Sequence, residues 1–382
     1  MKYELIQSKE KSMVVLDIKL DNLYAFKNFH MNLSYPKKIV GSCINNEHLK
    51  DRSNFRYKKV NIILGANASG KTTLGRTLMK VFNFIDKKNY EIITGIIGNT
   101  SQSASFTLDL ASGQNVLYRV KCSISPCNNG KYSSDNIALE IRSENIRLTD
   151  SYESCIKRIE EQQYSPNVNY LEELEKIEEL DWMFEYPEDT ARMLRFPEDD
   201  PKFLGVLENV LKALDPSIQI VEKSNEVENT YIVRLMDKSI ILQNGEPFTT
   251  NVLSSGTKAG VEVARVLSSL IQKRNTFYYC DEKFPYVHTD IEKAILSLMI
   301  ESIQDNAQIF FTTHNSDILD MNLPKHSFAF LRKDKNNTET PISCVDASVF
   351  LKRSTDSLRN AVENDLFCTS PSVDLLYDIS DM

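Results

Sequence analysis

The chain has 382 residues, which is enough for two or three domains, and its 41% hydrophobic and 26% charged residues are ordinary for a soluble globular protein. No apolar run approaches the length of a membrane-spanning helix, and the N-terminus lacks the apolar core of a signal peptide, so we expect no membrane partner. The seven scattered cysteines form no C-x-x-C pair, which argues against a zinc site or a disulfide framework and predicts a reducing, cytoplasmic location.

The net charge of −8 is unevenly distributed along the chain. Residues 151–200 hold 15 acidic and 5 basic residues, whereas residues 1–60 hold 12 basic and 6 acidic ones. Averaged over the chain, this is not the composition of a nucleic-acid-binding protein. The basic N-terminal part either faces an anion or is simply solvated.

In chain order, residues 13–20 and the apolar positions up to residue 33 predict strands, and the polar residues 41–57 predict a loop. Residues 60–64 then predict a buried strand, and the next residues fit the phosphate-loop pattern G-x-x-x-x-G-K-[ST] from Gly65 to Thr72. Glycines there let backbone N–H groups turn toward phosphate oxygens. Lys71 is suited to reach the β- and γ-phosphates, and the Thr72 hydroxyl is suited to Mg²⁺. Helical spacing over residues 72–82 completes the strand-loop-helix context of a nucleotide site.

The next part of the chain changes from strands to helices. Residues 105–110 and 116–123 predict a β-hairpin and residues 137–141 a further strand, together an antiparallel sheet beside the nucleotide site. Residues 147–215 are acidic and predict a helical lobe, with one helix on the leucine stripe from Leu171 to Leu180 and a second over residues 204–214. The acidic surface of the lobe either faces solvent or docks a partner protein.

After three short strands at residues 218–221, 230–235 and 239–242, the stretch L-S-S-G-T at residues 253–257 precedes an amphipathic helix. Its serines are good N-terminal caps, and Gly256 exposes backbone N–H groups where an anion can bind. Taken alone, this motif is weak, because an ordinary serine-capped helix has the same sequence features.

Two further apolar strands each end in residues that suit nucleotide chemistry. Residues 276–280 lead into Asp281 and Glu282, where an aspartate can hold Mg²⁺ and a glutamate can polarise an attacking water. Residues 307–313 lead into His314, which is placed to contact a γ-phosphate. The alternative for each is a strand that simply exits into a polar turn.

This set of motifs, in this order, resembles an ATP-binding-cassette (ABC) ATPase of the branch that contains SMC proteins, RecF and the OLD-family ATPases. In that resemblance residues 253–257 are the signature motif, residues 277–282 are Walker B with Glu282 as catalytic base, and His314 is the switch histidine. The nucleotide-binding residues implied are Gly65, Asn67, Ala68, Ser69, Gly70, Lys71, Thr72 and Thr73 of Walker A, and Ser254, Ser255 and Gly256 of the signature.

The resemblance implies an α/β fold, an ABC-type P-loop ATPase core with an antiparallel β subdomain and a helical lobe. It divides the chain into a first half of the head (1–146), the lobe (147–215), a second half (216–335) and a C-terminal extension (336–382). It also implies ATP and Mg²⁺ as cofactors, with Thr72 and Asp281 holding the metal. Two copies are expected to sandwich ATP as a homodimer or higher oligomer, with His288 in an interface loop.

Some features depart from that resemblance. Ser255 and Thr257 replace the usual glycine and glutamine of the signature, a form more similar to small bacterial ATPases encoded beside nucleases and toxins. Gln102, Gln162 and Gln163 all remain candidates for the Q-loop glutamine, and no aromatic residue can be named as the adenine stacker. The stretch after His314 is expected to be too short for a nuclease domain and to contain one helix over residues 354–367.

These features suggest a switch ATPase whose effector is a separate protein. The first hypothesis is the sensor subunit of a bacterial anti-phage or abortive-infection system, controlling a nuclease or a toxin. The second is a RecF- or SMC-like repair ATPase that clamps DNA. A transporter motor is the least favoured, because no membrane segment is attached and the signature lacks glutamine.

Overall fold

The computed structural model describes residues 12–127, 131–164, 169–186, 196–197, 200–244, 254–282, 287–334, 336–353 and 355–368. The strands are β1 (Met13–Asp21), β2 (Phe29–Asn32), β3 (His48–Leu49), β4 (Arg52–Arg56), β5 (Val60–Leu64), β6 (Ala104–Ser112), β7 (Val116–Ile124), β8 (Ile137–Asn145), β9 (Trp182–Glu185), β10 (Ile218–Lys223), β11 (Thr230–Leu235), β12 (Ser239–Gln243), β13 (Phe277–Asp281), β14 (Gln308–Thr312), β15 (Phe328–Lys333) and β16 (Ile342–Asp346). The helices are α1 (Lys71–Lys87), α2 (Tyr90–Thr94), α3 (Tyr152–Glu161), α4 (Tyr170–Leu174), α5 (Phe203–Leu214), α6 (Ser255–Ile271), α7 (Thr289–Ser302), α8 (Ala347–Phe350) and α9 (Leu358–Glu363).

The core of the molecule is a six-stranded sheet of order β16-β15-β5-β14-β13-β9. All neighbours in it are parallel except β16, which pairs antiparallel with β15. Every residue of β5, β13 and β14 is buried, as expected for the interior of a parallel sheet covered on both faces. Because β5, β13 and β14 run the same way, the residues that follow each of them meet at one edge of the sheet.

The predicted antiparallel sheet is present beside this core, with five strands in the order β2-β1-β6-β7-β8. The predicted hairpin is β6 and β7, which pair in continuous antiparallel register from Ala104↔Ile124 to Ala111↔Leu117. The side chain of Gln308 links the two sheets, since its amide group donates to Val15 O and its oxygen accepts from Val15 N at 2.8 and 2.7 Å. The antiparallel sheet is therefore fixed to the base of β14.

The prediction of one helix along the stripe from Leu171 to Leu180 is wrong. The helix ends at Leu174, and the chain then forms β9, which joins the edge of the central sheet beside β13. Tertiary packing outweighs the local periodicity here, because the ring of Phe184 packs 5.7 Å from Phe82 and 5.6 Å from Phe277, between ring centroids. The segment between residues 147 and 215 is thus not purely helical, although α3 and α5 are helices.

Two smaller predictions also need correction. The stretch 41–57, read as a polar loop, contains the short β3–β4 hairpin, in which Phe55 is fully buried. The helix expected across residues 354–367 is limited to α9, and Phe367 beyond it stacks on Phe330 with ring centroids 4.0 Å apart. The division of the chain at residues 146, 215 and 335 stays a prediction.

Helix α1 lies unusually close to β13. A Cβ atom added to Gly75 would meet the Tyr279 ring at 2.4 Å, so only glycine fits at this contact. The hydroxyl of Tyr279 also donates to Lys71 O at 2.7 Å, beneath the first turn of the helix. The glycine therefore sets how deeply α1 sits on the sheet.

We expect Gly75→Ala to lower the free energy of unfolding by about 1–3 kcal/mol, since the fully buried aromatic ring has to move. Gly205→Ala is the matched control: Gly205 lies in α5 with no atom within 4 Å of an added Cβ. It should raise the free energy of unfolding by about 0.5–1 kcal/mol, because alanine is the better helix former. Urea denaturation of both variants tests the pair, and equal effects would contradict the close-contact explanation.

Among the described residues, no helix is both long enough and apolar enough to cross a membrane.

Candidate functional site

The loop between β5 and α1 has the backbone that the phosphate-loop pattern requires. Ala68 and Gly70 adopt positive φ angles of 61° and 106°, and Gly70 precedes the first residue of α1. At Gly65 a Cβ atom would meet Leu331 O at 2.3 Å. The predicted binding residues Asn67, Ser69 and Thr73 belong to the same loop and helix start. The result is a tight turn at the N-terminal end of a long helix, a position where backbone N–H groups and the helix dipole favour an anion.

Lys71 is enclosed by this loop. Its side chain is 3% exposed, and its ammonium group donates to Gly65 O at 2.8 Å and to Ala66 O at 3.3 Å. It also lies 3.4 Å from Glu282 Oε1. Burial lowers the pKa of Lys71, and the Glu282 carboxylate opposes that shift. The ammonium group of Lys71 thus lies at the centre of the turn.

Asp281 is fully buried at the end of β13 and is bound by two hydroxyl groups. Thr72 Oγ1 donates to Asp281 Oδ2 and Thr312 Oγ1 to Asp281 Oδ1, each at 2.5 Å. Burial raises the pKa of Asp281, whereas the two hydroxyl donors and the charge of Lys71 oppose that shift. The Thr72 hydroxyl and the Asp281 carboxylate are hard oxygen ligands in contact, so these two predicted metal-binding residues fit a magnesium ion.

Glu282 and His314 form a contact at the same edge. His314 Nε2 lies 2.8 Å from Glu282 Oε1, and His314 Nδ1 lies 3.4 Å from Lys71 Nζ. Glu282 has a φ angle of 43°, a left-handed conformation that is uncommon for a residue other than glycine. Its backbone N–H is fixed by Thr312 Oγ1 at 3.0 Å. The glutamate side chain remains 25% exposed, which leaves its carboxylate accessible to water.

A cavity of about 280 Å³ opens beside the loop, between the ends of β5 and β14. Its walls include residues 64–67 of the loop and residues 313–314 next to β14. Val362 of α9 also lines the cavity, so a residue of the C-terminal part of the chain borders the site.

The predicted signature residues lie at the start of α6. Ser254 is the N-terminal cap, as expected, because its Oγ accepts from Thr257 N at 3.0 Å and lies 2.7 Å from Thr257 Oγ1. Ser255 and Gly256 are the first two residues of α6, and Leu253 lies outside the described residues. The contacts among Lys71, Asp281, Glu282 and His314 form without this helix start.

Sequence reasoning missed Glu185, at the end of β9. Its side chain is 2% exposed and pairs with Arg265 of α6 at 3.2 Å. In the sheet it lies in register with Cys280, directly before Asp281. The short apolar run Trp182–Phe184, close before Pro187, does not by itself distinguish a strand from the end of the helix predicted before it. Of the glutamines considered for the Q-loop, Gln162 bonds to Ser143 O at 3.0 Å.

Comparison with solved structures supplies the fold. The chain is similar to an SMC head bound to the C-winged helix domain of ScpA, with a TM-score of 0.52 and 12% identity over 88% of this chain and 99% of that one. An SMC head domain with an extended coiled coil, bound to the C-terminal domain of ScpA and derived from Pyrococcus furiosus, gives a TM-score of 0.49 at 12% identity, over 94% and 100% of the two chains. The recombination mediator protein RecF gives 0.41 at 10% identity, over 84% and 96%.

No protein-family profile matches the sequence, and no match was found among curated proteins. At 12% identity the similarity shows the fold alone. The chain has the α/β fold of an SMC head domain, and the predicted fold class is confirmed.

Proposed function

We propose that this chain, with the fold of an SMC head domain, is an ABC-type ATPase that binds and hydrolyses ATP to switch between two assembly states. The observation that carries the proposal is the convergence of Lys71, Thr72, Asp281, Glu282 and His314 at the carboxyl edge of the parallel sheet. Three segments that are distant in sequence contribute to it, because β14 lies between β5 and β13 in the sheet. If the phosphate-loop pattern were a chance match, nothing would explain why Asp281, Glu282 and His314 lie beside it.

The phosphate chain of ATP would lie on the turn from Gly65 to Thr73, with its charge balanced by Lys71. Thr72 and Asp281 are the residues that would hold Mg²⁺, and the ion when bound supplies charge neutralisation on the phosphate oxygens. The buried Asp281, whose pKa is raised, supports this assignment because a divalent cation offsets the cost of its burial. The geometry of both hydroxyl donors keeps the carboxylate oriented toward Thr72.

Glu282 is the proposed general base, and His314 holds either the attacking water or the terminal phosphate. Their 2.8 Å contact and the exposed fraction of Glu282 support this pairing, because the base has to be reachable by water and oriented by a neighbour. The buried Asp281 next to it suits metal binding instead. The two adjacent carboxylates thus differ in role because they differ in burial.

The proposed switch joins two copies head to tail across ATP. Ser254, Ser255 and Gly256 of one copy would meet the γ-phosphate held by the other, so that hydrolysis removes the shared ligand. The capped helix start at Ser254 supports this part, since it has peptide N–H groups at the beginning of a long helix. His288, the exposed cap of α7, would contribute to the same interface.

The finer role is inferred from resemblance of the L-S-S-G-T motif and not from chemistry. In this proposal the chain is a cytoplasmic sensor subunit of a bacterial anti-phage system that controls a separate nuclease or toxin. We also propose that the chain divides into four parts, with boundaries after residues 146, 215 and 335. The alternative, a DNA-clamping repair ATPase, predicts duplex binding that weakens steeply with salt. Fluorescence anisotropy with labelled duplex separates the two, since the clamp should bind at 50 mM salt and far more weakly at 200 mM, whereas the sensor subunit should bind at neither.

We expect the mass of the protein in light scattering to rise about twofold with Mg²⁺ and a slowly hydrolysed ATP analogue, and to stay unchanged with ADP. The reason is that only the triphosphate offers a group for the second copy to bind. EDTA should reverse the rise. A mass that is the same with ATP analogue, ADP and buffer alone would contradict the dimer switch and leave hydrolysis within one chain or within a constitutive assembly.

A further inference from the structure

A buried glutamate on α7 contacts both neighbours of His314. Glu292 is 3% exposed, its Oε1 accepts from Thr313 Oγ1 at 2.8 Å, and its Oε2 accepts from Asn315 Nδ2 at 2.6 Å. The Asn315 amide also donates to Thr289 Oγ1, in the first turn of α7, at 3.2 Å. The two residues on either side of His314 are therefore fixed to one helix.

The backbone around His314 is fixed from within as well. Asn315 N donates to Thr313 Oγ1 at 2.9 Å, so the hydroxyl that bonds to Glu292 also spans His314. Thr313 N donates to Ile63 O at 3.2 Å, which attaches the same turn to β5. His314 itself is 42% exposed and reaches Glu282 from this support.

Burying a charged carboxylate between two neutral donors has a desolvation cost. Burial raises the pKa of Glu292, although the amide of Asn315 and the hydroxyl of Thr313 act against the shift. A carboxylate offers one acceptor oxygen to each donor, whereas a glutamine amide of the same shape would turn an N–H group toward one of them. Both of its oxygens accept from residues that border His314, which points to orientation of that imidazole.

We propose that Glu292 is a positioning residue, which sets His314 against Glu282 and couples that contact to the first turn of α7. The proposal rests on the ATPase function proposed above. Glu292 lies on the helix that follows Glu282 in the chain, and it bonds to both residues that flank His314. A movement at the start of α7, where His288 is exposed, is then transmitted to the distance between His314 and Glu282.

The kinetic test combines Glu292 variants with loss of His314. We expect Glu292→Gln to lower kcat about tenfold and Glu292→Ala up to about 10²-fold, since a small misplacement of a catalytic group has costs of this size. The Kd for a fluorescent ATP analogue should stay within about twofold, because Glu292 is not part of the phosphate-binding turn. In a His314→Ala background, neither Glu292 variant should lower kcat further.

Glu173→Gln is the matched control, a fully buried carboxylate of α4 that accepts from Ile141 N at 3.0 Å. It should leave kcat unchanged. Losses at Glu292 that are the same with and without His314, or no loss at all, would overturn the proposal.

A second measurement does not depend on turnover. The imidazole resonances of His314, assigned by their absence in His314→Ala, should shift in Glu292→Ala while those of His30 and His48 stay in place. An unshifted His314 resonance overturns the positioning role even if ATP is hydrolysed. If the resonance shifts but the wild-type protein hydrolyses no ATP, the positioning stands and the proposed ATPase function fails.

Discussion

Glu282→Gln is expected to slow ATP hydrolysis by roughly 10²–10⁴-fold, the usual contribution of a general base, while ATP still binds. Glutamine has the shape of glutamate and can keep the hydrogen bond to His314, but it cannot accept a proton from water. Because the γ-phosphate then persists, the larger assembly should accumulate with ATP itself and not only with a slowly hydrolysed analogue. Light scattering in ATP and Mg²⁺, alongside a phosphate-release assay, measures both effects.

The wild-type protein is the reference for this variant, since it should return to its starting mass as ATP is consumed. A variant that hydrolyses ATP at the wild-type rate would remove Glu282 from the reaction. A variant that is inactive but forms no larger assembly would support Glu282 as the general base and would contradict the dimer switch.

Lys71→Ala is expected to weaken ATP binding by about 10²-fold or more, because truncating one partner of a buried, hydrogen-bonded charge pair costs about 2–5 kcal/mol. The enclosed ammonium group donates to Gly65 O and Ala66 O and lies at the centre of the turn. Without it the peptide groups of the turn face the phosphate charges alone. Isothermal titration calorimetry with ATP and Mg²⁺ measures the affinity, and light scattering should show no nucleotide-dependent rise in mass.

Lys87→Ala is a control on the same helix, since Lys87 is exposed in the last turn of α1. Its affinity for ATP should match that of the wild type. We expect the fold of Lys71→Ala to stay intact, because an ammonium group is costly to bury and its removal relieves that cost. Urea denaturation of both variants checks this, and unchanged ATP affinity in Lys71→Ala would contradict the proposed phosphate site.

The three strands that form the site could be predicted because each is a buried, mainly apolar run that leads into a distinct motif. The phosphate turn is one of those motifs. This held for β5 before Gly65, for β13 before Asp281 and for β14 before His314. Their meeting at one edge required only that the strands be parallel neighbours. The assigned roles of these residues remain predictions.

Other features depend on contacts that no local pattern contains. The strand β9 has four residues and takes its stability from aromatic neighbours in α1 and β13, while the leucines before it are typical of a helix. Glu292 occupies an ordinary position on an amphipathic helix, and its partners lie more than 20 residues away in sequence. Periodicity predicts which face of α7 is buried, but it does not predict what a buried acid bonds to.

The contact between Gly75 and Tyr279 links two positions that sequence motifs treat as independent. One lies in the helix after the phosphate turn and the other in the strand before Asp281. In a homologue with a larger residue at position 75, we expect a smaller side chain than tyrosine at position 279. The bond from the Tyr279 hydroxyl to Lys71 O would then be absent as well. The two positions are therefore expected to coevolve, and grafting either segment alone into a related head should fail where exchanging both succeeds.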